Sequence, residues 1–214
     1  MGGMTATTDA ARRGYAKGRA KREEILQAAI GLFAETGYHG ASLREIAGRV
    51  GISHPGLLHH FPTKAALLEA VLEHRDAVDR ADIEDDREQG RSVPESLVRL
   101  VRRNALRRPI VEVFAVLAAE ATSPDHPAHE YFARRYATTL ADSRADLERA
   151  AAEGRLRPGV EPAAAARAIV ALMDGLQVQW LYSLDRPKGD RVDMAADLEA
   201  FLAMVYTDRG RDTA

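Results

Sequence analysis

The chain contains no cysteine among its 214 residues, which removes disulfides, thiolate nucleophiles and cysteine metal sites from consideration. Aromatic residues make up only 6%, with a single Trp, so aliphatic side chains must supply most of the core. No apolar run is long enough to span a bilayer. The best stretch, Ala163 to Trp180, is broken by Arg167, Asp174 and Gln177, short of the roughly 18 uninterrupted apolar residues a spanning helix needs. The N-terminus lacks the charged start and apolar centre of a secretory signal. Strand candidates are missing too, as are a nucleophile paired with a base, a Gly-rich phosphate loop and an H-E-x-x-H pair. These absences point to a cytoplasmic, all-α protein that has no membrane partner, no cofactor and no catalytic residues.

What the chain does have is an uneven distribution of charge. At 46% hydrophobic it can bury a substantial core, and its net charge is only −2. Between Ala10 and Lys64, however, nine cations face four anions, a balance of +5, while residues 65–214 carry −6. A basic head on an acidic body suits a module that approaches phosphate while the remainder stays in solution.

The head has a recognisable order of caps and stops. Residues 1–18 lack apolar period and read as a disordered basic arm. Ile25, Ala28, Ala29, Leu32 and Phe33 then repeat at helical spacing up to Gly37. Ser42 and Glu45 form an S-x-x-E capping-box pattern. Leu43, Ile46, Ala47 and Val50 make one apolar stripe, and Gly51 ends it. Ser53 caps a second short helix with Pro55 in its first turn and Leu57 and Phe61 inward; Pro62 stops it. Thr63 caps the next helix, with Lys64 where the helix dipole favours an acid, which implies a nearby anion. Two short capped helices around a glycine turn are the pattern of a helix-turn-helix reader of DNA. Beyond Gly90, helical period recurs near 94–107, 109–122, 127–153, 162–184 and 191–206. The domain reading is therefore 19–72 for the DNA-binding head, 73–207 for a helical ligand-binding and dimerisation body, and 208–214 for a tail.

On Arg22, Ile25, Ala28, Ala29, Leu32, Phe33, Gly37, Ser42, Ile46, Ala47, Val50, Gly51, Ser53, Leu57, Phe61 and Lys64 the chain resembles the TetR (tetracycline-repressor) family over residues 22–72. The resemblance implies a homodimeric repressor that binds double-stranded operator DNA and is released by a small-molecule effector. It implies that residues 54–60 read the major groove, about 12 Å wide, with His54, Pro55, Gly56 and His59 toward bases, and Ser53 and His60 beside them. Arg44 would reach a base or phosphate, and Ser42 and Lys64 would clamp phosphates. Leu58 stands where many members carry an aromatic hydroxyl, so a phosphate bond is replaced by contact with a thymine methyl or by packing inside the head.

For the body the resemblance implies pairing through the last two helices, with Ile169, Leu172, Leu176, Leu184, Leu198, Leu202 and Val205 as candidate interface residues; Met173, on the first of them, offers the same apolar face. It also implies an effector cavity, for which Phe114, Leu117, Glu120, Phe132, Tyr136, Met173, Gln177 and Trp180 are candidates. Asp125, His126 and His129 share one short loop without a thiolate, which favours an Asx-type turn over a metal site. The competing function is an architectural DNA-binding protein without ligand control.

Overall fold

A computed structural model describes residues 4–207, with side chains from residue 16 onward. Among these residues there are nine α-helices and no strand: α1 (Met4–Gly40), α2 (Leu43–Arg49), α3 (His54–His60), α4 (Lys64–Glu88), α5 (Val93–Ala105), α6 (Arg108–Glu120), α7 (His129–Ala152), α8 (Pro162–Ser183) and α9 (Met194–Val205). An isolated bridge pairs Leu156 with Tyr206. The tail expected at 208–214 lies outside the described residues, as do residues 1–3 of the arm.

The arm is not a coil where it is described, because α1 starts at Met4. The expectation of disorder rested on missing apolar period, but alanine, lysine and arginine favour helix on propensity alone. Gly37 leaves helical geometry (φ 68°, ψ 179°), which ends the long straight part of α1 where the apolar repeat stops.

The chain divides into two compact units between His74 and Arg75, two residues beyond the boundary expected after residue 72. In the first unit Ile25, Leu32, Phe33, Ile46, Leu57, Phe61, Leu67 and Val71 are buried together from α1 to α4. The turn between α2 and α3 depends on Gly51 (φ 66°), a left-handed conformation that costs other residues about 1–2 kcal/mol. Gly51 and Ile52 donate back to Gly48 and Ala47 carbonyls at 3.2 and 3.0 Å, which closes α2. Ser53 Oγ accepts from Gly56 N at 3.1 Å and Thr63 Oγ1 from Ala66 N at 3.0 Å, so α3 and α4 are capped as their sequences direct.

In the second unit α5, α7, α8 and α9 share a core that includes Val98, Val101, Leu147, Ile169, Leu176, Trp180, Leu198 and Leu202. Ser92 and Glu95 form a full capping box at the start of α5, a signal in S-V-P-E that the sequence reading passed over. Glu161 and Asp193 cap α8 and α9 with their carboxylates. A ladder of ion pairs runs along the body part of α4. Asp86, with its side chain fully buried, accepts from Arg91 Nε (3.0 Å), Arg99 Nε (2.7 Å) and Arg103 Nη2 (2.8 Å). Arg103 also meets Asp82 (3.2 Å), and Arg107 meets both Asp82 (3.2 Å) and Asp79 (3.4 Å). The Arg103 and Arg99 hydrogen bonds hold the Asp86 carboxyl down at about 2.

Candidate functional site

Within α3 only Leu57 is buried of seven residues. Pro55 and His59 are exposed, and His54, Gly56, Leu58 and His60 are half-buried. Leu57 and Phe61 hold the helix down from beneath, and the Arg22 guanidinium lies 4.4 Å from the Phe61 ring centre. The His59 and His60 rings meet edge to face at 5.8 Å, which gives the end of α3 a polar aromatic surface. Leu58 thus covers part of the head without entering its core.

Three flanking residues differ in what the fold leaves them free to do. Arg44 is exposed on α2 and has no ion pair among the described residues. Ser42 occupies the N-cap of α2, yet its hydroxyl makes no capping bond. The expected capping box fails because Glu45 turns toward Arg49, which also grips Glu35 with two bonds at 3.0 and 2.7 Å. That pairing holds the Glu35 carboxyl below its ordinary range. Lys64 is the third of them. Its ammonium donates to the carbonyls of Tyr38 (2.8 Å), Ala41 (3.0 Å) and His39 (3.3 Å), and lies 4.5 Å from the Tyr38 ring centre. Carbonyl dipoles at the end of α1 supply the negative partners that its position implied, so Lys64 ties α1 to α4.

In the body, Phe114, Phe132 and Tyr136 converge, with ring centres 5.3 and 6.4 Å apart along the series. Tyr136 Oη donates to Asp174 at 2.7 Å. Burial, followed by that bond, pushes the Tyr136 phenol up to about 12. The Arg75 guanidinium stacks 3.8 Å over Phe114 and pairs with Asp79 (3.3 Å) and Asp76 (3.4 Å); Arg135 stacks on the same ring at 5.1 Å. Tyr131 and Arg135 both donate to Asp76. Burial lowers the Arg75 pKa and raises that of Asp79, and Arg75 Nε is buried without a partner among the described residues. No local pattern singled out Arg75, Asp76, Arg135 and Asp174 for this group, because the Arg135–Asp76 and Tyr136–Asp174 bonds join residues 59 and 38 positions apart.

The other cavity candidates do not all join this group. Trp180 belongs to the α5–α8–α9 core, with Met173 packed on that core's edge. Glu120 lies 3.6 Å from the His126 ring, and Leu117 is fully buried. Gln177 is buried on α8. In the 121–129 loop His126 Nδ1 accepts from Ala128 N at 3.1 Å and the His129 ring meets Ala121 O at 2.8 Å, so both rings serve the turn. No group of acids and histidines among the described residues is placed to hold a metal.

Burial divides the interface candidates. Ile169, Leu176, Leu198, Leu202 and Val205 are buried in the body's own core, and Leu172 and Leu184 pack against it. The residues that α8 and α9 leave open are Tyr182 (81% exposed), Met204 (63%) and Val178 (42%), beside small residues such as Ala171 and Ala200. Apolar period marks the side of a helix with the largest side chains, and here that side faces inward.

Residues 25–71 match the family model described as bacterial regulatory proteins of the tetR family, and residues 91–206 match that of the BetI-type transcriptional repressor C-terminal region. The chain belongs to the TetR family. The family and the relatives that this chain matches are transcriptional regulators, not enzymes. The HTH-type transcriptional regulator RutR of Escherichia coli (strain K12) is 47% identical over 53 residues, 25% of this chain and 25% of that protein. The HTH-type transcriptional activator FasR of Mycolicibacterium smegmatis is 45% identical over 53 residues, 25% of this chain and 24% of that one. Alignment with these curated relatives therefore spans about a quarter of their length. A transcriptional regulator from Saccharomonospora viridis, solved in complex with choline, superposes on this TetR-family chain with a TM-score of 0.72 at 25% identity, over 86% of this chain and 97% of that one. Among the described residues no helix is long and apolar enough to cross a membrane.

Proposed function

We propose that the protein is a homodimeric, cytoplasmic transcriptional repressor that binds a palindromic DNA operator and is released from it by a small molecule. The observation that carries this reading is α3: a seven-residue helix, capped by Ser53, that commits only Leu57 to the core. A helix held so lightly offers its His54, Pro55, Gly56, Leu58, His59 and His60 side to a groove wide enough for one helix. Arg44 and Ser42, both exposed and uncommitted by capping or pairing, supply phosphate contacts next to it.

One short helix reads only a few base pairs, so useful selectivity calls for two heads about one DNA turn apart. The open Val178, Tyr182 and Met204 surface of α8 and α9 is the pairing face of choice, since its small neighbours let the helices of a second copy approach closely. The effector enters the Phe114–Phe132–Tyr136 group, where apolar ring faces stand beside polar anchors and the unpartnered Arg75 Nε. Choline, bound by the Saccharomonospora viridis protein, is not carried over to this chain, because Arg75 and Arg135 already cover the Phe114 ring.

Selection of bound duplexes from random DNA tests the reading. A palindromic consensus whose half-sites lie about 10 base pairs apart, with affinity falling steeply as salt rises, is the expected result. Recovery of no consensus, or binding that no metabolite pool reverses, overturns the operator or the effector part respectively.

A further inference from the structure

The body carries a net negative charge, yet one seam collects cations. Between α5 and the start of α9 a recess of about 320 Å³ has the buried Trp180, Val101 and Met194 in its floor and Arg102, Lys188 and Arg191 on its edge. Its one acid, Asp193, is already occupied: its Oδ1 accepts from the Ala195 and Ala196 amides at 3.1 Å each. On the far side of Arg102, which pairs with Glu199 at 3.6 Å, lies a second recess of about 450 Å³, where Arg91 and Arg99 are held by Asp86 and Arg155 by Glu153. Glu95, which also lines it, is committed to Ser92, at 2.9 Å to its amide and 2.7 Å to its hydroxyl.

An apolar floor under a positive rim suits a ligand with an apolar tail and an anionic head. We propose that the Trp180 recess binds a small amphipathic carboxylate, with its anionic head on Arg102, Lys188 and Arg191 and its short apolar tail against Trp180 and Met194. This site is separate from the Phe114–Tyr136 group, which contributes none of its lining. The recess lies near the lower end of small-molecule site volumes. Arg102 borders both recesses, so a longer ligand extends past it toward Val98 and Leu202.

Trp180 is the chain's single Trp, which gives the site its own reporter. Octanoate titrated into the full-length protein should shift Trp180 emission saturably to the blue, while octylammonium, with the same tail and the opposite head, should not. Arg102→Glu and, separately, Lys188→Glu should each weaken octanoate by about tenfold or more. Both positions are on the surface, and Lys188 lies in a short 3-10 turn, so the two variants guard against a folding artefact in either. Tyr136→Phe, in the proposed effector group, should leave octanoate affinity unchanged. Equal responses to octanoate and octylammonium, unaltered affinity in both charge-reversed variants, or a loss confined to Tyr136→Phe would each overturn the assignment. DNA binding is not part of this test, so its outcome is independent of the operator reading.

Discussion

Replacing Lys64 with Met keeps the aliphatic stem and removes the charge that joins the end of α1 to the start of α4. Three carbonyls lose a charged donor, two of them at 2.8 and 3.0 Å and one at 3.3 Å. A hydrogen bond to a charged group contributes about 1.5–3 kcal/mol, but these carbonyls are partly open to water and rehydrate, which leaves roughly 2 kcal/mol for the three together. Loss of the Tyr38 ring contact adds about 0.5–1 kcal/mol. The head should therefore lose about 3 kcal/mol, equivalent to roughly a hundredfold in its opening equilibrium. Hydrogen exchange on the full-length protein reads this directly, because the amides of Ile46, Leu57 and Phe61 are bonded inside the head. They should exchange about a hundredfold faster in Lys64→Met, while amides in α8 stay as they were. A phosphate-clamping Lys64 makes the opposite forecast: unchanged exchange, and a salt dependence of DNA binding reduced by about 0.9 in log–log slope. That pair of results would refute the structural role argued from the carbonyls.

Arg44→Ala should weaken DNA binding about equally on all sequences and reduce the salt slope by about 0.9, with no change in thermal unfolding. Tyr182→Glu should turn a dimer into a monomer in sedimentation while leaving each protomer folded; Leu198→Ala, inside the core, should instead cost about 2–5 kcal/mol of stability. Asp86 titrates near 2 in the folded protein, below the usual carboxylate value, so its contribution is complete above about pH 4 and disappears as pH falls toward 2. Asp86→Asn should accordingly flatten the acid limb of a stability–pH curve in that window, and an unaltered limb would contradict the pairing. Gly51→Ala has room for its methyl but not for its φ, so it should lose about 1 kcal/mol in urea unfolding.

Local signals were the ones the amino-acid order made readable. Gly51, Ser53, Thr63 and the inward Leu57–Phe61 pair act within a few residues of themselves, and each does what its chemistry demands. The Ser42–Glu45 box is equally local in pattern, but Arg49 attracts Glu45 while bridging to Glu35, fourteen residues upstream. Lys64 shows the same limit from the other direction, since its carbonyl partners are 23 to 26 residues away. On α8 and α9 periodicity found the apolar side correctly but could not tell a protomer's own core from a face open to a second copy. The ladder on α4 was open to reading: acids at 76, 79, 82 and 86 recur at one-turn spacing, and Arg99, Arg103 and Arg107 recur every four residues.

That ladder is built with overlap. Arg103 touches both Asp82 and Asp86, and Arg107 both Asp79 and Asp82, so each of these guanidiniums keeps a counterion when one aspartate is lost. Single substitutions along it will understate what it holds, and paired ones will exceed the sum of their parts. Over generations such redundancy lets individual rungs drift without loosening the grip of α5 on α4, so descendants of this chain can exchange acids there while the packing endures.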